Sequence, residues 1–216
     1  MGRLFFYSDQ VVESPGNLRL DHFAGMEPSQ IKIGYIPSTE DKEREYFKAK
    51  VQYYHDYGIK NIIFFDLYSE FDSSKIGELL SCDIIHLSAG NPIEFRNAIR
   101  LRKMNKVLWD YFNKDGTIIG VSGGAVQLGK SAKLFQLFTG SFNNEKMDTL
   151  HFADFEFLPH FNRWSGDFKQ QVLQYSQTTG TLIYAVNDGD GLIVEDGNIQ
   201  FVGDVKILNN GNAFLK

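Results

Sequence analysis

The sequence predicts an α/β fold, a mostly parallel sheet covered by helices on both faces and finished by antiparallel strands near the C-terminus. Three observations predict it. Near-continuous apolar runs of strand length recur through the first two-thirds of the 216 residues, as strands buried on both faces require. Stretches of helical period separate those runs and are long enough for crossover connections. From Leu182 onward the pattern turns to short runs split by turn dipeptides, which suits antiparallel pairing.

Taken in order, Arg3–Tyr7, Ile31–Ile36, Asn61–Leu67, Ile84–Leu87 and Thr117–Val121 read as strands. A helix is expected over Thr39–Tyr57, with Ser38 or Thr39 as N-cap, acidic residues in the first turn and Gly58 as the stop. A shorter helix covers Ser74–Leu80, and another covers Ile93–Asn113, with a break near Met104 left open. Phe155–Pro159 reads as a strand and Ser165–Thr178 as a helix. Leu182–Val186, Gly191–Glu195, Asn198–Gly203 and Val205–Leu208 then form the antiparallel end, with Asp196-Gly197 as a hairpin turn. No repeat, linker or composition break divides the chain, so one domain over residues 1–216 is expected.

Composition narrows the function. A chain with 43% hydrophobic and 23% charged residues can bury a core without disulfides or metals. A net charge of -5 argues against a polyanion-binding surface, so nucleic acid is not an expected partner. Near the N-terminus only Leu4–Tyr7 is apolar, too short for a signal peptide core or a membrane span, so a cytoplasmic protein without a membrane partner is expected. The single cysteine, Cys82, excludes an internal disulfide and a multi-thiolate zinc site, and reads as small apolar filler beside a strand.

Chemistry concentrates at the ends of the predicted strands, where an open α/β sheet binds ligands. Ser122 follows an apolar strand and precedes Gly123-Gly124-Ala125, small residues that let the chain turn sharply into a helix. The string Gly120-Val-Ser-Gly-Gly124 fits the G-x-S-x-G nucleophile elbow, in which the amide after the serine points at a developing oxyanion. The plainer alternative is a glycine-rich turn whose hydroxyl caps the next helix. Leu87-Ser-Ala-Gly-Asn-Pro92 ends the preceding strand, and its Gly90 could offer a second amide or mark an ordinary loop.

A serine hydroxyl needs a base. Of five histidines, His22 and His55 read as solvated, His86 as a core residue and His151 as a weak candidate in an irregular segment. His160 closes Phe155-Glu-Phe-Leu-Pro-His directly after a strand and is the chosen base. Asp188 and Asp190, in Val186-Asn-Asp-Gly-Asp-Gly191, are candidates for the orienting acid, with a hairpin turn as the alternative for both. Their spacing lacks the later glutamate of a calcium loop, so no metal is expected.

With serine, histidine and acid in that order on a parallel sheet, the sequence resembles the peptidase E family of serine peptidases, which includes aspartyl dipeptidases and cyanophycinases. Four segments between Ile31 and Gly203 carry the resemblance. "GVSGGAV" resembles the family's G-x-S-A-G-A elbow with Gly123 in place of alanine, and "LSAGNPIEF" its G-G-G-N turn with Gly90 and Asn91 kept. "LPHFNRW" is similar to N-P-H-F, and "AVNDGDGLIV" to L-P-E-G with Asp188 in place of glutamate. The resemblance implies a class I glutamine amidotransferase-like, three-layer flavodoxin-like fold. It further implies Ser122 as nucleophile, His160 as base and acid, the amides of Gly90 and Gly123 as oxyanion donors, and Asp188 as third member, with Glu145 or Asp148 as second choices.

Asn91 is a substrate-binding candidate from the same turn. The dipeptidases of the family prefer an N-terminal aspartate held by basic residues after the histidine, where this chain has Arg163 and Lys169; both equally fit solvated helix-entry charges. The expected activity is hydrolysis of small peptides through an acyl-enzyme, without cofactor or metal, by a monomer or homodimer. Two rivals stand beside it. An esterase shares the elbow but expects its acid before its histidine, and no histidine follows His160. A catalytically silent binding or scaffold domain could keep the fold alone.

Overall fold

The structure is a computed structural model that describes residues 2–11, 26–140 and 145–215. Its elements are β1 (Arg3–Tyr7), β2 (Lys32–Ile36), α1 (Glu45–Asp56), β3 (Asn61–Phe64), α2 (Ile76–Leu80), β4 (Ile84–Leu87), α3 (Pro92–Leu101), α4 (Met104–Phe112) and β5 (Thr117–Val121). Then follow α5 (Gly123–Leu128), α6 (Gln136–Thr139), β6 (Glu156–Leu158), α7 (Gly166–Thr179), β7 (Ile183–Val186), β8 (Gly191–Glu195), β9 (Asn198–Val202), β10 (Val205–Asn209) and β11 (Asn212–Leu215).

The main sheet has the order β3-β2-β4-β5-β1-β8-β9. Its first five strands are parallel, and β8 and β9 add antiparallel at one edge. Alternation along β1 explains the layers. Leu4 and Phe6 join the large core shared with α3, α4 and α5, whereas Phe5 and Tyr7 join the opposite core shared with Tyr53 and Tyr54 of α1. A strand with both parities buried has no polar face, hence the continuous apolar runs.

The expected single sheet is corrected by a second one, β11-β10-β7-β6. Tyr184 and Val186 of β7 face the main core, while Ile183 and Ala185 pack with Val172 and Tyr175 of α7. A strand sandwiched in this way supports its own sheet, and short apolar runs alone do not say which sheet they join. β11 is an added strand that pairs with β10. The Asp196-Gly197 hairpin joins β8 to β9, with both residues at positive φ as a two-residue turn of this kind requires.

The start of the first helix also differs from expectation, whereas the break left open near Met104 is present. α1 begins at Glu45 because Ser38 is spent elsewhere: its amide donates to Ser88 Oγ at 2.8 Å and its hydroxyl to the Ala89 carbonyl. Asp41 instead accepts from the Phe47 amide at 3.0 Å, serving an otherwise unpaired donor of the first turn. The long helix after Gly90 breaks into α3 and α4 at Lys103, whose φ of 58 interrupts the helical path. His22 lies outside the described residues. Among the described residues no helix is long and apolar enough to cross a membrane.

Candidate active site

β5 lies in the sheet interior between β4 and β1, so its carboxyl end opens where neighbouring loops can converge. The Ser122 amide extends the ladder by donating to the Tyr7 carbonyl at 2.9 Å. The residue then takes φ 50, ψ −112, and α5 starts at Gly123. A non-glycine residue in that region carries strain of order 1–3 kcal/mol, held here by a strand on one side and a buried helix on the other. Glycine at 123 has a steric cause: a Cβ there would stand 2.0 Å from the Gly90 carbonyl oxygen. The elbow and the Gly90 turn therefore touch backbone to backbone. Gln127 fastens them further, donating to the Pro92 carbonyl at 2.8 Å and the Gly123 carbonyl at 3.1 Å.

His160 sits just beyond β6, after Pro159, at φ 59. Its amide donates to Ser8 Oγ at 2.7 Å, and the Ser8 amide donates to the Asp190 carbonyl at 3.2 Å, so the loop after β1 fixes the histidine backbone. The imidazole lies between two oxygens: Ser122 Oγ is 2.8 Å from Nε2, and Asp188 Oδ1 is 2.6 Å from Nδ1. The second Asp188 oxygen accepts from Arg163 Nε at 2.5 Å and Asn162 Nδ2 at 3.1 Å, and Asn162 Oδ1 takes the Asp188 amide at 2.9 Å.

Burial pushes the Asp188 carboxyl up, but the hydrogen bonds from His160, Asn162 and Arg163 outweigh it and hold the group below its ordinary range. An ionised carboxylate only accepts. Nδ1 must then carry the imidazole proton, which leaves the Nε2 lone pair to accept from the serine hydroxyl. This is the protonation pattern a base needs before it takes a proton from oxygen.

The other expected residues fall out as follows. Gly90 and Gly123 border a cavity of about 280 Å³ together with Ser122 and His160. Phe135, Phe138 and Trp164 form an aromatic part of its wall. Asn91 borders it too, but Asn91 Oδ1 caps α3 by accepting from the Ile93 and Glu94 amides. Arg163 also holds Asp9 Oδ2 at 3.0 Å, and Lys169 Nζ lies 4.6 Å from the centre of the Phe161 ring. Glu145 and Asp148 lie near Arg96 instead: burial first, and the Arg100 charge second, lower its pKa, and the two carboxylates only partly oppose them. Asp190 accepts from the Asp204 amide at 3.1 Å and belongs to the turn.

Ser8, Asp9 and Asn162 escaped the sequence reading. Ser8 and Asp9 are the polar pair that directly follows the apolar run of β1, a signal as local as the one that marked His160. Ligand atoms of Asp9, His160 and Asp188 lie within 4.8 Å of one another, a spacing a metal ion could bridge, but the Arg163 guanidinium already spans both carboxylates and supplies the positive charge.

The model of peptidase family S51 matches residues 11–202. Among solved structures, the chain is similar to a candidate peptidase E protein from Listeria monocytogenes EGD-e, at 20% identity and a TM-score of 0.74, over 93% of this chain and 98% of that one. It is likewise similar to a peptidase from an acI-B1 Actinobacterium, at 19% identity and a TM-score of 0.74, over 100% of this chain and 94% of that one. No curated protein matches.

Proposed function

Since the chain belongs to peptidase family S51 and is a serine-type peptidase, we propose that it cleaves small peptides with Ser122 as nucleophile, His160 as general base and acid, and Asp188 as the orienting carboxylate. The hydrogen-bonded chain from Ser122 Oγ through both imidazole nitrogens to Asp188 carries the reading. His160 Nε2 takes the hydroxyl proton as Oγ attacks the scissile carbonyl carbon. The carbonyl oxygen gains the negative charge, and the amides of Gly90 and Gly123 donate to it. Asp188 stabilises the imidazolium, which then protonates the leaving amine as the C–N bond breaks. Water repeats the sequence on the acyl-enzyme, and His160 returns the proton to Oγ.

An acidic N-terminal preference held by Arg163 has a cost, because engaging a substrate carboxylate would take the guanidinium from Asp188 and Asp9. The substrate class is therefore kept at small peptides, and the aromatic wall offers one apolar side chain a contact surface beside Ser122. The test is Ser122→Ala in the full chain. Peptide hydrolysis is expected to fall by about 10⁴–10⁶-fold in kcat/KM with an unchanged melting temperature. Hydrolysis retained at the wild-type rate would remove Ser122 from the chemistry.

A further inference from the structure

Gly90 borders two cavities. One is the aromatic-walled cavity that holds Ser122; the other, of about 430 Å³, lies over the carboxyl ends of β2 and β4 and is lined by Tyr35, Ser38, Thr39, Tyr46, Lys50 and Ser88 among others. The loops that build its floor are tied together through Ser38, whose amide and hydroxyl bond to Ser88 and Ala89. Among the described residues no carboxylate lines this cavity, and Lys50 is the one charged side chain there.

Among the described residues Lys50 forms no ion pair. Its Nζ donates to Gln10 Oε1 at 2.5 Å and stands 4.8 Å from the centre of the Tyr53 ring. Burial lowers its pKa to about 8, against the opposing pull of Asp9. Gln10 is itself held by the Tyr54 hydroxyl at 3.4 Å, so the ammonium is placed by a buried polar chain rather than left on a free stem. An ammonium in a partly desolvated pocket gains most from a ligand that brings the missing negative charge.

We propose that this second cavity is the subsite for a carboxylate of the peptide substrate, with the Lys50 ammonium as its counter-ion. The proposal rests on the reading of Ser122 as nucleophile. Gly90 stands at both cavities, so a peptide whose carbonyl sits at Ser122 would run past the Gly90 turn towards the cavity that Lys50 lines. The carboxylate has two sources, an acidic side chain or the free C-terminus of a short peptide. Arg163 does not compete for it, since its guanidinium already holds Asp188 and Asp9.

The test uses the full chain and four peptides that combine an Asp or Asn side chain with a free or amidated C-terminus, assayed with wild type, Lys50→Gln and Lys50→Arg. Lys50→Gln is expected to lower kcat/KM by about 10–100-fold for the peptides bearing the recognised carboxylate and to leave the others unchanged, with partial recovery in Lys50→Arg. Loss confined to the Asp pair assigns a side-chain carboxylate, and loss confined to the free-acid pair assigns the C-terminus. An equal fall for all four peptides, or no fall for any, overturns the subsite. Labelling of Ser122 by a fluorophosphonate, measured in parallel, separates the two readings: normal labelling with an equal fall condemns the subsite alone, whereas an unreactive Ser122 in wild type condemns the nucleophile. Lys50→Met keeps the aliphatic stem against Tyr53 and serves where the glutamine variant loses its fold.

Discussion

His86 and His160 both belong to strand regions, yet they end in opposite environments. His86 stands inside β4, fully buried, stacked on Tyr35, with Nδ1 2.7 Å from the Tyr54 hydroxyl and Nε2 without a hydrogen-bond partner among the described residues. Burial first, and the nearby Lys50 charge second, hold its pKa well below the ordinary value, so it stays neutral. His160 stands past the end of β6, partly open to solvent, with an oxygen at each ring nitrogen. Position along the strand decides the difference. A ring in the middle of a strand is closed in by both layers, whereas one residue beyond the carboxyl end the side chain meets the loops of other strands. Only the second ring has a hydroxyl at one nitrogen and a carboxylate at the other.

Of the two histidines, the larger expected effect breaks the His160 side. Asp188→Asn keeps the shape but puts a donor beside Nδ1, which favours the imidazole tautomer with its proton on Nε2, pointing at Ser122. Turnover of peptides is expected to fall by about 10²–10⁴-fold, read as kcat with the melting temperature as control. Wild-type turnover in this variant would mean that the carboxylate does not set the tautomer.

A smaller effect sharpens the His86 side. Its folded pKa lies below that of the unfolded chain, near 6.5, so unfolding takes up a proton at lower pH. The stability it contributes is complete above that pH and is lost as pH falls below it, by up to about 1.4 kcal/mol per pH unit. His86→Phe is expected to flatten the loss between pH 7 and 5 in chemical denaturation, and to leave turnover of uncharged peptides at neutral pH at the wild-type level. An unchanged slope would show that His86 does not titrate on unfolding.

Much of this arrangement was legible because its signals are local. The five parallel strands of the main sheet announce themselves as apolar runs, and Ser122, His160 and Asp188 stand out as reactive side chains within two residues of the ends of β5, β6 and β7. Contacts between distant segments were not legible in the same way. Ser8 holds His160 from 152 positions away, and Arg163 reaches Asp9 across 154. Ser38 illustrates the limit from the other direction: it looks like a helix cap, but the loop after β4 claims both of its donors, and α1 begins later. The second sheet was hidden for a related reason, since the short runs at β7 and β10 carry no mark of which partner strand they meet.

The most direct test of the account is the reaction of the folded full chain with a fluorophosphonate, followed by mapping of the modified residue, in wild type and His160→Ala. The account predicts a single adduct on Ser122 in wild type and its near-absence in the variant, because Oγ is reactive only when Nε2 can take its proton. An inert Ser122 in folded wild-type protein, or labelling that proceeds equally without His160, would contradict it.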